Sequence, residues 1–293
     1  MLDLKNSIEL YAPFLSNYWR HLLSIGVAYL LALYFLRISK RRVDAPDKSN
    51  ACDEAIVQDS TENLAQVFKS EEESEQIPYQ HQNMLSEKEM QKKAQDFYNF
   101  MNQRRSVRFF NKDQIPSLDI IKTIIHTGST GPSGAHMQPW TFVVISDVKV
   151  KREIRKIVED EEEINYRQRM GSQWVNALKP LNTNWCKPYL ENAPYLIVVF
   201  KQVYKITPDG KQPTYYNEIS TCIATGILLA AIHNAGLVTV TTTPLNCGPR
   251  LRILLNRPVN EKLLVLLPVG FPAQDATVPD LKRKPLEQVM VHI

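Results

Sequence analysis

The sequence predicts an α+β domain of three layers, helices on both faces of one sheet, behind a single N-terminal transmembrane helix. Three observations predict it. Residues 195–200 (YLIVVF), 237–243 and 263–269 are near-continuous apolar runs, the mark of strands covered on both faces. Between and before them, apolar residues recur at helical spacing, so strands and helices alternate along the chain. Residues 21–36 (HLLSIGVAYLLALYFL) carry no formal charge while His21 is neutral, and Arg37, Lys40, Arg41 and Arg42 follow.

In chain order, residues 1–20 form a short non-cytoplasmic segment and 21–38 the membrane helix. The apolar run is short for a bilayer span of about 17–25 residues, but Tyr18 and Trp19 extend it through the interface. A cleaved leader fits less well, because the run starts late and has no small-x-small site before the basic cluster. That cluster places the following chain in the cytoplasm, at a plasma or vesicle membrane. Residues 39–85 are rich in Asp, Glu, Ser, Gln and Asn and are expected to form an acidic, flexible linker.

The catalytic domain is assigned to 86–293. Ser86-Glu-Lys-Glu89 reads as a capping box, with Met90, Ala94, Phe97, Tyr98 and Met101 as an apolar helical face. Pro116-Ser117 opens a second helix with Ile120, Ile121, Ile124 and Ile125 inward, ending at Gly128. The turn 131–140 (GPSGAHMQPW) empties into a strand through Ile145, and a long helix from about Val148 runs into the acidic block 159–163. Residues 218–235 are apolar almost all round, which predicts a helix buried on more than one side and suited to cover by a second subunit. Gly236 caps it.

Composition excludes several classes. At 293 residues, 44% apolar and net charge +4, the chain can bury one sizeable core, and no face is basic enough to argue for nucleic acid. Cys52, Cys186, Cys222 and Cys247 are scattered without a C-x-x-C, so neither a metal site nor a disulfide framework is indicated. No P-loop or dinucleotide fingerprint occurs.

Two stretches carry candidate chemistry. Residues 104–108 (RRSVR) pack three guanidinium groups and a hydroxyl into five positions, and planar forked donors match phosphate oxygens. The turn 131–140 offers backbone amides. Taken alone, the first reads equally as a solvated face and the second as a plain turn. Together they suggest a flat, anionic ligand.

The set R-R-S-V-R, P-S-G-A-H-x-Q-P-W-T-F, G-I-L-L-A-A, T-T-T-P-L-N and K-R-K-P-L resembles the FMN-binding nitroreductase superfamily, and more narrowly its branch acting on iodinated tyrosines. The resemblance covers about the last two-thirds of the chain. It implies a nitroreductase-like FMN fold and a homodimer sharing the flavin site. It implies that Arg104, Arg105, Ser106, Val107, Arg108 and Arg283 hold the phosphate. Pro132, Ser133, Gly134 and Thr241 would lie against the cofactor, and Thr242 or Thr243 would donate to flavin N5. A hydroxyl donor there favours one-electron steps over hydride transfer.

The same resemblance implies a substrate lid. Glu162 would meet the α-ammonium of a free amino acid and Lys187 its carboxylate, with Tyr166 completing the hydrogen bonds and the Ala135 amide holding the phenolate. Glu162 and Tyr166, four apart, share a face if helical. Pro188, directly after Lys187, bears on the lid's local geometry. The implied activity is reductive release of iodide from mono- and diiodotyrosine by reduced FMN, with NADPH as ultimate donor through an intermediary reductase, since no nicotinamide site is visible. A generalist nitro- or quinone reductase and a non-catalytic flavoprotein or iodotyrosine sensor are the alternatives.

Overall fold

The computed structural model describes residues 76–80, 84–181, 183–208 and 210–293. Cys52, the segment 21–38 and nearly all of the linker 39–85 lie outside the described residues. Among the described residues no helix is long and apolar enough to cross a membrane. Residues Asn83–Ile293 form one compact unit.

Helix α1 (Glu87–Asn102) starts at the expected capping box: the Ser86 side chain accepts from the Glu89 amide while the Glu89 carboxylate takes the Ser86 amide at 2.9 Å. Ser117 caps α2 (Leu118–Gly128), which buries Ile121 and Ile124. A single 3-10 turn, Gly134–His136, precedes β1 (Trp140–Ile145). Asp147 caps α3 (Val148–Ile164), whose end loosens into a π-turn at Asn165–Arg169. Short helices α4 (Ser172–Leu178) and α5 (Tyr189–Asn192) lead to β2 (Tyr195–Gln202). A hairpin of β3 (Tyr204–Thr207) and β4 (Gly210–Pro213) comes next, then α6 (Asn217–Asn234), β5 (Val238–Thr239), α7 (Gly248–Leu254) and β6 (Glu261–Gly270). Gly236, at φ +73°, takes the left-handed position that ends α6, where a side chain would be strained.

The main sheet runs β1-β2-β6-β5, every neighbour antiparallel. Successive side chains of β2 point to opposite faces, and both faces are filled. Leu196, Val198 and Phe200 pack with Ile154, Ile157, Leu190 and Leu251 of α3, α5 and α7. Ile197 and Val199 pack with Ile121, Ile124, Leu228 and Ile232 of α2 and α6. This is the three-layer arrangement that the unbroken apolar runs imply. Truncating a fully buried member such as Leu228 to Ala would cost about 2–5 kcal/mol.

Three expectations are corrected. The strand expected over 237–243 is only two residues long; the chain then leaves the sheet and touches it once more, where Thr242 exchanges backbone hydrogen bonds of 3.0 and 2.8 Å with Leu266. α1 buries no residue, so Met90, Phe97 and Tyr98 lie exposed. α6 buries Ala224, Leu228 and Ile232 but exposes Ile219, Cys222 and Ile223. Both helices thus turn apolar residues outward, uncovered by the other described residues.

Candidate functional site

Thr239 on the edge strand β5 pairs with the arginine run: Ser106 bridges it in parallel and the Val107 amide donates to its carbonyl at 3.1 Å. Val107 is buried, which anchors the run and leaves Arg104, Arg105, Ser106 and Arg108 to line a cavity of about 780 Å³. Arg283 returns from the far end of the chain to the same cavity, held by Asn102 Oδ1 at 2.8 Å and the Arg104 carbonyl at 3.1 Å. The Arg105 guanidinium donates to the Pro279 carbonyl. Burial, then repulsion from Arg283 and Arg105, lowers the Arg104 pKa. Arg108 Nε is buried with no partner. Crowded cations with a stranded donor call for an anion, and a phosphate dianion fits this cavity.

Arg108 also faces the lid. Its charge acts on Tyr166, Lys187 and Tyr189. Glu162 and Lys187 are 7% and 5% exposed, and their charged ends lie 3.8 Å apart. The Lys187 ammonium also reaches Thr183 Oγ1 at 3.5 Å and the Asn184 carbonyl, while its backbone amide donates to Glu159 Oε1 at 2.6 Å. Burial lowers the Lys187 pKa, and Glu162 partly restores it. Burial and then Glu162 raise that of Tyr166.

Tyr166 sits in the π-turn, not on a regular helical face with Glu162 as expected, yet the Glu162 charge still acts on its phenol. Its ring meets the edge of Trp185 at 6.0 Å, over which Arg167 lies at 5.7 Å. Asn165, buried, ties the turn to the Leu245 carbonyl at 3.5 Å and to Arg169 at 2.9 Å. Pro188 leaves the pair intact and opens α5.

Of the three threonines, Thr242 is buried with its hydroxyl 3.2 Å from that of Tyr189, whereas Thr241 and Thr243 are exposed. Burial raises the Tyr189 pKa, and Thr242 opposes that. The Tyr189–Thr242 contact and the stranded Arg108 nitrogen escape sequence reasoning, for neither pair is near in sequence. Tyr189 follows Lys187 by two residues, which is the one available signal. Cys247 lies behind the lid, its thiol pushed up to about 12 by burial and then by Glu162. Among the described residues there is no metal-binding cluster, and Cys186, Cys222 and Cys247 are all free.

The turn is built with strain. Ala135, His136 and Gln138 hold φ of 49°, 52° and 47°, a region that costs side-chain-bearing residues about 1–3 kcal/mol each. Ser133 Oγ accepts from the Gln138 amide at 2.9 Å, and Met137 donates to the Gly134 carbonyl at 3.0 Å. Gly131 presses on α6, where a Cβ would stand 3.1 Å from the Ala224 Cα. Among the described residues the Ala135 amide has no hydrogen-bond partner.

Pro132, Ser133 and Gly134 do not line the arginine cavity. The sheet register explains why. The turn enters β1 at Trp140, opposite Lys201, which faces Lys262 of β6; the arginines flank Thr239, opposite Val269. The seven residues from 262 to 269 span about 23 Å, and β1 and β5, three spacings apart, are separated by about 14 Å more. Turn and arginines occupy diagonal corners of the sheet.

An antiparallel sheet covered on both faces, with guanidinium groups gathered at one edge, defines the class: residues 101–271 match the model of the nitroreductase family. The chain is 58% identical to iodotyrosine deiodinase 1 of Homo sapiens over 242 residues, 82% of this chain and 83% of that one. It is 50% identical to the iodotyrosine deiodinase of Daphnia pulex over 97% of this chain and 99% of that one. A crystal structure of oxidized iodotyrosine deiodinase bound to FMN and 3-iodo-L-tyrosine superposes with TM-score 0.56 at 30% identity, covering 65% of this chain and 96% of that one. The chain belongs to the iodotyrosine deiodinases of the nitroreductase family.

Proposed function

We propose that this protein releases iodide from mono- and diiodotyrosine, using bound FMN and leaving tyrosine. The observation that carries the reading is the buried Glu162–Lys187 pair at 3.8 Å, next to the cavity that Arg108 shares. A carboxylate and an ammonium held together in a dry pocket are the complement of an amino-acid zwitterion. The substrate ammonium takes Glu162, its carboxylate takes Lys187, and Tyr166 completes the hydrogen bonds. A generalist reductase has no use for such a pair.

FMN supplies the electrons for the carbon–iodine bond. Arg104, Arg105, Ser106, Arg108 and Arg283 hold its phosphate, and the Val107 backbone fixes their register on β5. Pro132, Ser133, Gly134 and Thr241 bound the cofactor. The exposed Thr243 hydroxyl is open to flavin N5, while Thr242 is held by Tyr189 and backs it. The free Ala135 amide holds the phenolate, a form that an iodinated phenol adopts more readily than tyrosine does.

The diagonal corners support a site completed by a second subunit, in which two copies related by a twofold would bring each turn to the other's arginines. The outward Ile219, Cys222 and Ile223 of α6 and Phe97 of α1 supply apolar surface for that contact. In this reading residues 21–38 anchor the dimer with its domains in the cytoplasm, and NADPH supplies electrons through a reductase.

The test is iodide release from diiodotyrosine by the FMN-loaded protein under dithionite, with flavin fluorescence followed in parallel. Quenching at micromolar ligand together with iodide release is the expected result. Flavin indifferent to iodotyrosine would support a generalist reductase.

A further inference from the structure

Resting on that reading, we propose that the basic rim of the phosphate cavity is the docking surface for an acidic, one-electron carrier protein that reduces the bound flavin. The cavity is lined by Arg104, Arg105, Arg108, Lys282, Arg283 and Lys284, with no carboxylate among its lining residues. None of the six forms an ion pair among the described residues. A phosphate dianion balances about two of these charges. The remainder has no ion-pair partner among the described residues, and Lys282 and Lys284 are exposed.

The patch also carries apolar surface: Tyr98 and Leu281 line the same cavity and are 58% and 54% exposed. Exposed apolar side chains among charges of one sign suit a transient redox encounter, which buries less than about 1,200 Å² and depends on charge for its association rate. Glu162 and Lys187 are buried under the lid, so a bulky donor is shut out from the substrate side. The chain carries no dinucleotide fingerprint that would seat a nicotinamide directly.

The electrons balance. Each reduced carrier loses one electron; two deliveries, with two protons from water, reduce one FMN, and two oxidised carriers leave. Those two electrons are what the release of one iodide consumes.

The experiment measures binding as well as turnover. The FMN-loaded full-length chain is titrated by calorimetry with an acidic [2Fe–2S] ferredoxin, with basic cytochrome c as the opposite-sign control. K282E/K284E is expected to weaken ferredoxin binding by about tenfold or more, K282Q/K284Q by less, and raising salt should mimic both. Flavin reduction by reduced ferredoxin, counted per bound FMN, should fall in step. Ferredoxin binding indifferent to the reversals and to salt would overturn the proposal, as would cytochrome c binding equally well. Dithionite-driven release in the unaltered protein reads the deiodinase assignment separately, since no carrier takes part.

Discussion

The cavity beside Thr239 gathers six cations with no carboxylate among its lining residues, whereas the pocket under the lid pairs Glu162 with Lys187 inside itself. The first is fastened to a sheet edge by backbone bridges at Ser106 and Val107; the second is built from the end of α3, a π-turn and a loop, with Asn165 tied to Leu245 and Trp185 against Tyr166. The difference follows from what each holds. A resident cofactor can be the counter-charge of a permanent cation cluster, so the corner can be left unbalanced. A ligand that comes and goes cannot, because a buried charge without a partner costs several kcal/mol each time the site empties. On the proposed reading, the lid balances itself when empty and would exchange its internal pair for two pairs with the substrate.

The largest effect is expected where the imbalance is greatest. R104A/R108A removes two charge-assisted contacts of about 1.5–3 kcal/mol each, so FMN affinity should fall by a factor on the order of 10²–10⁴. Flavin absorbance after desalting measures it, and stoichiometric flavin in the variant would remove the phosphate assignment. The corners can also be separated genetically. In a mixed dimer of R104A/R108A with Ala135→Pro, one site collects both lesions and the other none, so about half of the wild-type activity per dimer should return from two inactive parents. No recovery would place turn and arginines in one chain's site.

The lid gives smaller, pH-dependent effects. Burial depresses the Lys187 pKa, so its ammonium, and with it the grip on the substrate carboxylate, is lost as pH rises through a value below the ordinary lysine figure of about 10.4. For stability the sign is opposite: between the depressed pKa and the ordinary one the unfolded chain holds more protons, so stability rises with pH across that window. Binding of diiodotyrosine followed against pH should show the alkaline loss, and K187Q should be weak throughout and lack that limb. Smallest of all, Y189F removes one hydrogen bond at 3.2 Å to Thr242, worth about 1 kcal/mol, and should change turnover only several-fold at full flavin content.

These contrasts also explain what the sequence could show. The capping box at Ser86, the α2 start at Ser117 and the β2 run are local signals, and the structure follows them. The arginine run and Arg283, 175 positions apart from Arg108, were joined through the resemblance, since nothing in spacing links them. The T-T-T run reads as strand by β-propensity, but after Thr239 the chain is claimed by long-range contacts, Leu266 for the Thr242 backbone and Tyr189 for its hydroxyl. The β3–β4 hairpin and the short helices α4, α5 and α7 carry no period long enough to detect. The apolar circumference of α6 reads as a helix buried on more than one side, whereas Ile219, Cys222 and Ile223 face outward.

The central claim is that a self-paired lid reads the zwitterion of a ligand lying over FMN. The direct measurement compares diiodotyrosine with diiodophenol, which has the same ring and no zwitterion, by quenching of flavin fluorescence in wild type and E162Q at equal flavin content. The wild type should favour diiodotyrosine by about 10²-fold or more, and E162Q should bring the two ligands to within a few-fold by weakening diiodotyrosine alone. An undiminished preference in E162Q would contradict the account.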